Sequence, residues 1–143
     1  PSLCLFEATI MSVGRGTDKP FQALGHPNAG FGQLVFTPRV KVGEDSNPRH
    51  KGKPCYGIDY LEKGLPKGQI SLAPLIDLYR KAESLGLQLI NQRQLFDLLA
   101  GTKTLRSQLA SGLSEAEIRA SWKDDLEAYR RLRAKYLLYE DAR

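Results

Sequence analysis

The uneven distribution of glycine and proline along the chain most strongly limits what it can fold into. Most of the 13 glycines and all but one of the 8 prolines lie before residue 72. Both residue types interrupt helices and mark turns, so the first half of the chain is predicted to form short strands and loops. After residue 72 the apolar residues recur at intervals of three and four, which is typical of helices packed on a core.

Three runs in the first half have the composition of strands, at residues 3–9, 33–42 and 56–61. Pro38 within the second run favours an edge position or a bend, because proline has no backbone N–H to donate to a neighbouring strand. The segment between the first two runs is rich in Gly, Pro, Asn and Asp. It is predicted to be a long loop with one helical turn at residues 21–24.

The second half contains helical segments separated by glycines. Residues 72–85 carry apolar side chains at helical spacing and are followed by Gly86, in the place where a left-handed residue often closes a helix. Residues 87–90 alternate and predict a short strand. Further helical segments are predicted at residues 96–99 and 102–109, each ending shortly before a glycine.

A capping box marks the start of the last helix. Ser114 and Glu117 have the S-x-x-E spacing in which each residue can satisfy a free backbone N–H of the other. Apolar residues at helical spacing then continue to Tyr136 and predict one long helix. The chain is therefore predicted to be one α+β domain over residues 1–143, with a mixed β-sheet and helices concentrated in its C-terminal half.

The chain is basic, with a formal net charge of +5, which is compatible with an anionic partner. The densest basic stretch covers residues 39–53. Aromatic residues that could stack on the bases of a nucleic acid do not interleave this stretch. Nucleic acid is therefore not favoured as the partner.

Two further expectations follow from the apolar runs and from the start of the chain. The apolar runs are far shorter than the roughly 20 residues that cross a bilayer, so no membrane partner is expected. No signal-peptide pattern opens the chain. Because a strand-like run begins at residue 3 without a leader, the chain is expected to be a domain of a longer protein.

A glycine-rich segment, SVGRGT at residues 12–17, follows the first predicted strand. It lacks the Lys-Ser/Thr pair of a P-loop and the third glycine of a dinucleotide-binding fingerprint. Gly14 and Gly16 would let the backbone approach a ligand, and Arg15 between them supplies a planar cationic group for a carboxylate or hydroxyls. The pattern alone favours a structural turn with a solvated arginine, because glycine in loops is usually structural.

Glu7 is an acid within an otherwise apolar run, and it is followed by Thr9, Ser12, Arg15 and Thr17. Glycosidases need carboxylates that donate a proton to the glycosidic oxygen, accept one or activate water. The residues alone favour the simpler interpretation, in which Glu7 pairs with Arg15 for structural reasons.

The remaining candidates for chemistry are few. His50 and Lys51 lie in the basic stretch, where His50 could hydrogen-bond a substrate or face water. His26 is the only other histidine, and two histidines without an acidic or cysteine partner do not predict a metal site. No cofactor is expected. Cys4 and Cys55 fit two buried thiols or, in an oxidising compartment, a disulfide.

Several segments occur together in an order that resembles one known family. The most specific is FEATIMSVGRGTDKPF at residues 6–21, which is similar to a signature F-E-x-T-x-x-S-x-G-R-G-T followed by Pro-Phe. The family's order continues with FTP at residues 36–38, HKGKPCYG at 50–57, FDLLAG at 96–101, ASW at 120–122 and KYLLY at 135–139. Over nearly its whole length the chain resembles the C-terminal domain of the NamZ-type exo-β-N-acetylmuramidases.

The resemblance implies the second part of a two-part enzyme. In that family a larger Rossmann-like N-terminal domain precedes a smaller auxiliary α/β domain, and the active site lies in the cleft between them. The N-terminal domain supplies the principal acid/base residues, so the chain by itself is expected to be inactive. The reaction releases terminal β-linked N-acetylmuramic acid from the non-reducing end of peptidoglycan saccharides, which implies a secreted or periplasmic protein.

The same resemblance suggests site residues. Glu7 becomes the catalytic candidate, and the candidate substrate-binding residues are Thr9, Ser12, Arg15, Thr17, His50 and Lys51. Glu7, Ser12, Arg15 and Thr17 are expected to share one exposed concave surface, with the loop that carries His50 and Lys51 close by. From its charge, Arg15 would suit the lactyl carboxylate that distinguishes N-acetylmuramic acid from N-acetylglucosamine.

Two other functions remain open on the sequence. One is a non-enzymatic binding module that holds an acidic glycan or nucleic acid. The other is a free-standing hydrolase that uses Glu7, which would require a second carboxylate within about 5–9.5 Å.

Overall fold

The computed structural model describes residues 2–43, 45–66 and 68–139, in which a small sheet is followed along the chain by helices. The strands are β1 (Ala23–His26), β2 (Leu34–Phe36) and β3 (Cys55–Asp59). The helices are α1 (Tyr60–Lys63), α2 (Ala73–Ser84), α3 (Arg93–Ala100), α4 (Thr104–Ala110), α5 (Glu115–Ala120) and α6 (Lys123–Ala134). Two 3-10 turns, Cys4–Ala8 and Ala29–Phe31, lie before β1 and between β1 and β2.

The three strands form one sheet in the order β1-β3-β2. At its centre Gly25 of β1 pairs with Gly57 of β3, and Leu34 of β2 pairs with Gly57 from the other side. A Cβ on Gly57 would lie 1.7 Å from the Leu24 carbonyl oxygen, and a Cβ on Gly25 would lie 2.6 Å from the Phe36 ring. The sheet is therefore too closely packed here for any residue larger than glycine.

The predicted α+β class is confirmed, and so is the concentration of helices in the C-terminal half. The sheet itself is antiparallel at both of its pairings, where a mixed sheet was predicted. Parallel neighbours need a long crossover connection that is usually helical. Among the described residues the α-helices all follow β3, so no α-helical crossover joins two strands.

The first apolar run forms a 3-10 turn, Cys4–Ala8, instead of the strand predicted at residues 3–9. The buried side chains of Leu3 and Phe6 are three residues apart, which is the repeat of a 3-10 helix. The turn ends at Thr9, whose hydroxyl donates to the Phe6 carbonyl oxygen at 2.8 Å. The run belongs to the core as its composition suggests, but it is wound too tightly to pair as a strand.

The other predictions for the first half are partly wrong. Residues 21–24 lead into β1 rather than forming a helical turn. Residues 33–42 form only the short β2, and residues 56–61 run from β3 into α1. The Asp59 carboxylate causes that change, because it accepts hydrogen bonds from two amides at the start of α1. Residues 87–90 make a single bridge to the segment after the first 3-10 turn, not a strand.

The helix predicted at residues 72–85 is confirmed as α2. Gly86 follows it with a φ of 68°, and Gly101 closes α3 with a φ of 71°. These glycines supply the left-handed conformation that ends a helix, which other residues rarely adopt. Helices are also found at the next two predicted positions, as α3 and α4.

The single long helix predicted after the capping box is wrong, because a turn at residues 121–122 divides it into α5 and α6. The Ser121 hydroxyl donates to the Ile118 carbonyl oxygen at 2.7 Å and accepts from the Gln108 side-chain amide of α4 at 2.9 Å. The half-buried Trp122 packs against the core at the same place. A contact with another helix therefore holds the break, and periodicity alone could not reveal it.

The predicted capping box is confirmed at the start of α5. The Ser114 hydroxyl accepts from the Glu117 amide at 3.3 Å, and the Glu117 carboxylate accepts from the Ser114 amide at 2.8 Å. Replacing Ser114 by Ala should lower the free energy of unfolding by about 1 kcal/mol, the usual contribution of an N-cap. Chemical denaturation beside a Ser111→Ala control would measure it. An equal change in both variants would contradict a stabilising box.

The core lies between the sheet, the first 3-10 turn and the helices up to α5. Its largest fully buried side chains include Phe6, Leu24, Leu75, Phe96 and Ile118. The neighbours of Glu7 on both sides, Phe6 and Ala8, are fully buried. The core therefore holds the backbone that carries Glu7.

The last helix, α6, contributes no buried residue. Leu126, Tyr129 and Leu132 follow one another at three-residue intervals and are 44%, 60% and 53% exposed. This spacing places them along one side of the helix. Across the described ranges, none of the helices combines the length and the apolar character that a membrane span requires.

Candidate functional site

The glycine-rich segment runs from the first 3-10 turn to the edge of the sheet. Ser12 and Gly25 of β1 form a bridge in which the Ser12 amide donates at 2.7 Å and the Gly25 amide donates at 3.0 Å. The Ile10 amide donates to the Leu89 carbonyl oxygen at 2.9 Å on the other side. The start of the loop is therefore attached to two parts of the fold.

Gly14 and Gly16 are both required by the path of the loop. Each has a φ of 76°, a left-handed conformation. A Cβ on Gly14 would lie 2.1 Å from the Lys19 carbonyl oxygen, and a Cβ on Gly16 would lie 2.3 Å from the Arg39 carbonyl oxygen. The two glycines thus bring the backbone into close contact on both sides of Arg15, whose side chain stays half-exposed.

Glu7 and Arg15 form an ion pair across the mouth of the loop. Arg15 Nη2 donates to Glu7 Oε1 at 2.8 Å. The Arg15 side chain is 43% exposed and the Glu7 side chain is 32% exposed. The Arg15 guanidinium also lies over the Phe21 ring, 5.0 Å from its centroid. The carboxylate and the guanidinium are therefore both held in place and both accessible to solvent.

The three hydroxyl side chains of the segment bond to its own backbone. Thr9, fully buried, accepts from the Met11 amide at 3.1 Å as well as donating to the first turn. Ser12, also buried, accepts from the Gly14 amide at 3.3 Å. Thr17 donates to the Gly14 carbonyl oxygen at 2.6 Å. These side chains shape the loop that presents Glu7 and Arg15.

A second loop, at residues 48–53, meets the first one. His50 has a φ of 60°, which is uncommon for a residue other than glycine. Its Nε2 lies 2.6 Å from the Ile10 carbonyl oxygen and donates to it, and its ring meets the His26 ring edge-to-face, with centroids 5.0 Å apart. Partial burial lowers the pKa of both histidines. Lys51 follows on the exposed side of the same turn.

The two loops enclose a small cavity of about 90 Å³. Its lining residues are Glu7, Met11, Ser12, Val13, Arg15 and Arg49. Three of the predicted site residues thus share one concavity. Thr9, Thr17, His50 and Lys51 are not part of its lining, although His50 is bonded to the loop beside it.

Arg49 is the residue that sequence reasoning missed. It belongs to the basic stretch and directly precedes His50, and those were the signals that could have singled it out. Only the fold brings it next to Glu7 and Arg15, more than 30 residues earlier in the chain.

A larger groove of about 610 Å³ lies elsewhere, between the end of α2, residues 86–90, α3 and α4. It contains none of the predicted site residues. Arg106 on its wall is bound by Asp97 of α3 through two hydrogen bonds of 2.6 and 2.7 Å. This pairing holds the pKa of Asp97 below its usual value and joins α3 to α4, so the arginine has a structural role.

The other chemistry-bearing groups show no comparable arrangement. Within the described ranges no three His, Cys, Asp or Glu residues cluster as a metal site would require. Cys4 is exposed, Cys55 is buried, and neither forms a disulfide. Burial raises the pKa of the Cys55 thiol to about 11, so this thiol remains protonated at neutral pH.

The chain is similar to known proteins over almost its whole length. The family model described as exo-beta-N-acetylmuramidase NamZ, C-terminal, matches residues 1–139. Peptidoglycan beta-N-acetylmuramidase NamZ of Bacillus subtilis (strain 168) is 26% identical over 162 residues, which cover 97% of this chain and 36% of that protein.

A similar solved structure is the crystal structure of a DUF1343 family protein from Bacteroides fragilis. It is 39% identical with a TM-score of 0.84, and the match covers 99% of this chain and 40% of that one. The chain therefore spans less than half the length of either relative. Since the family model covers almost the whole sequence, including the signature around Glu7 and Arg15, the chain belongs to the family defined by the C-terminal part of exo-β-N-acetylmuramidase NamZ.

Proposed function

We propose that this chain is the auxiliary C-terminal part of a peptidoglycan-degrading exo-β-N-acetylmuramidase, and that its two loops line the saccharide cleft. The observation that carries the proposal is the cavity in which Glu7 and Arg15, the charged residues of the family signature, lie side by side. A domain that needed the signature only for folding would not require an accessible carboxylate there. Saccharide hydrolysis does require one.

Within this proposal the predicted site residues have two kinds of role. We assign contact with the saccharide to Glu7 and Arg15, which line the cavity, and to His50 and Lys51 on the second loop, which lie outside its lining. Thr9, Ser12 and Thr17 act indirectly, because their hydroxyls hold the backbone of the loop.

A partner domain completes the proposed site. Glycoside hydrolysis commonly uses two carboxyl groups, one on each side of the scissile bond. In the described structure the cavity lining contains one carboxylate, Glu7. A Rossmann-like N-terminal domain of the same protein would supply the carboxyl group that acts opposite Glu7 and close the cleft.

The exposed apolar side of α6 supports such a neighbour. Leu126, Tyr129 and Leu132 have no partner in the core, and exposed apolar patches commonly mark protein contacts. The relatives are more than twice as long as this chain, and the family description places this part at their C-terminal end. The preceding domain is therefore the occupant that we propose for this side of α6.

The first test compares the 143-residue chain with the full-length protein. The chain alone should not release the chromophore from a chromogenic N-acetylmuramide, because half of the cleft is missing. The full-length protein should release it. Turnover by the chain alone would show that Glu7 works without a partner domain, and an inactive full-length protein would contradict the proposed reaction.

The second candidate function is a non-enzymatic module that binds an acidic glycan or nucleic acid. The exposed basic side chains of Lys51 and Lys53 on the second loop favour it. A salt titration separates the two functions. Binding to a phosphate backbone weakens steeply with salt because counterions are released, whereas binding in a saccharide cleft should change far less.

A further inference from the structure

We propose that the cavity beside Glu7 is a carboxylate subsite and that Arg49 is the residue that binds the anion. This inference rests on the proposed function, in which the cleft binds an acidic sugar. It differs from the sequence-based expectation, which gave that role to Arg15.

The charges that line the cavity do not balance. Arg15 and Arg49 are both guanidinium groups, and Glu7 is the one carboxylate among the described lining residues. Glu7 is already bound to Arg15 at 2.8 Å. Within residues 2–43, 45–66 and 68–139, Arg49 has no hydrogen-bonded or ion-paired acid, so one positive charge in the cavity remains uncompensated.

Arg49 is also partly withdrawn from water. Its side chain is only partly exposed, and burial lowers the pKa of its guanidinium. A partly buried charge without a counter-ion is unfavourable, and an incoming anion removes that cost. A guanidinium is suited to this because its planar donors match the two oxygens of a carboxylate.

Arg15 is less available than Arg49 to bind a ligand carboxylate. Its Nη2 is engaged by Glu7, and one face of its guanidinium is covered by the Phe21 ring. If the Arg15 guanidinium turned away from Glu7 to bind a ligand, the Glu7 carboxylate would lose its ion-pair partner. Arg49 can accept a ligand without breaking an existing ion pair.

The size of the cavity limits what enters it. Its volume of about 90 Å³ is small beside the roughly 300–1,000 Å³ of pockets that enclose a whole small-molecule ligand. A substituent of carboxylate size suits such a space better than a whole sugar ring. In this proposal the ring lies outside the cavity with its acidic substituent inserted.

The loop that carries Arg49 is fixed on both sides. The preceding residue, Pro48, is buried against the first loop, where a Cβ on Gly16 would lie 2.8 Å from its Cγ. The following residue, His50, is bonded to the Ile10 carbonyl oxygen at 2.6 Å. Because Arg49 is held between these two contacts, little conformational freedom is lost when it binds an anion.

The test measures binding to the full-length protein by calorimetry, with three probes. These are N-acetylmuramic acid, its methyl ester, which has no carboxylate charge, and N-acetylglucosamine. The wild-type protein should bind the free acid most tightly. Arg49→Gln should weaken binding of the acid by about 10- to 100-fold, the effect of losing a charge-assisted hydrogen bond, and should change the other two little.

Two further variants complete the test. Arg39→Gln, at an exposed arginine outside the cavity, should bind all three probes as the wild-type protein does. Arg49→Lys retains the charge and should recover part of the affinity for the acid, which a merely misfolded loop would not. Equal affinity of the wild-type protein for the acid and its ester, or an unchanged preference in Arg49→Gln, would overturn the subsite.

Binding and turnover are separate measurements. If the full-length protein hydrolyses the muramide but Arg49→Gln keeps the preference for the acid, the subsite is refuted and the proposed function stands. If Arg49 governs binding of the acid but no saccharide is hydrolysed, the proposed reaction is refuted and the subsite stands.

Discussion

Replacing Glu7 by Gln in the full-length protein is expected to lower kcat/KM on a chromogenic N-acetylmuramide by about 100- to 10,000-fold, the usual range for a group that transfers a proton. Gln preserves the shape of the side chain and can still accept a hydrogen bond from Arg15, now 2.8 Å from Glu7. It cannot exchange a proton or carry a negative charge at neutral pH. A loss of this size would therefore arise from chemistry and not from packing.

The matched control is Glu83→Gln, at an exposed glutamate on α2 that borders the larger groove. It should leave kcat/KM within about threefold of the wild-type value, since surface substitutions away from a site have small effects. Thermal unfolding of both variants should be recorded. If Glu7→Gln kept its activity and lost only stability, its ion pair with Arg15 would be structural, as the residues alone had suggested.

Replacing Gly16 by Ala is expected to lower the free energy of unfolding by about 2–5 kcal/mol. A left-handed conformation costs an L-residue about 1–2 kcal/mol, and forcing an extra carbon into a packed site costs about 1–3 kcal/mol. The Cβ would lie 2.3 Å from the Arg39 carbonyl oxygen and 2.8 Å from Pro48 Cγ. The Arg39 backbone cannot easily withdraw, because its amide donates to the Gly16 carbonyl oxygen at 2.9 Å.

The same change should also impair activity, because Gly16 and Pro48 hold together the two loops around the cavity. Gly112→Ala is the control, since Gly112 has a nearly equal φ of 73° and open space where its Cβ would lie. Gly112→Ala should lower the free energy of unfolding only by the cost of the left-handed conformation, about 1–2 kcal/mol. Calorimetric unfolding of both variants measures the difference, and equal losses would contradict the close contact between the loops.

The helix-rich half of the fold was largely predictable, since short-range interactions specify its helix boundaries. The Ser114–Glu117 box and Gly86 after α2 each act within a few residues of the helix end that they determine. The prediction of a single long last helix failed because a residue of another helix intervened. The Gln108 amide holds the turn at Ser121 and so divides the last predicted helix.

The first half was less predictable, because short apolar runs do not distinguish a strand from a tight helical turn. Residues 3–9 have the composition of a strand, yet they pack into the core with a 3-10 turn at Cys4–Ala8. In the candidate site, the cluster of Glu7, Ser12 and Arg15 could be predicted because these residues lie close together in the sequence. The exposure of their side chains to solvent could not be predicted in that way.

The sequence by itself determined the α+β class, the family, the helix ends marked by a glycine or by the capping box, and the identity of the signature residues, because these depend on composition, motifs and interactions between near neighbours. Only the tertiary structure decided that Arg49 joins the cavity. Its place depends on contacts between residues about 30 to 40 positions apart, Gly16 against Pro48 and Ile10 bonded to His50. Such contacts form when the whole core closes, and no local pattern in the sequence records them.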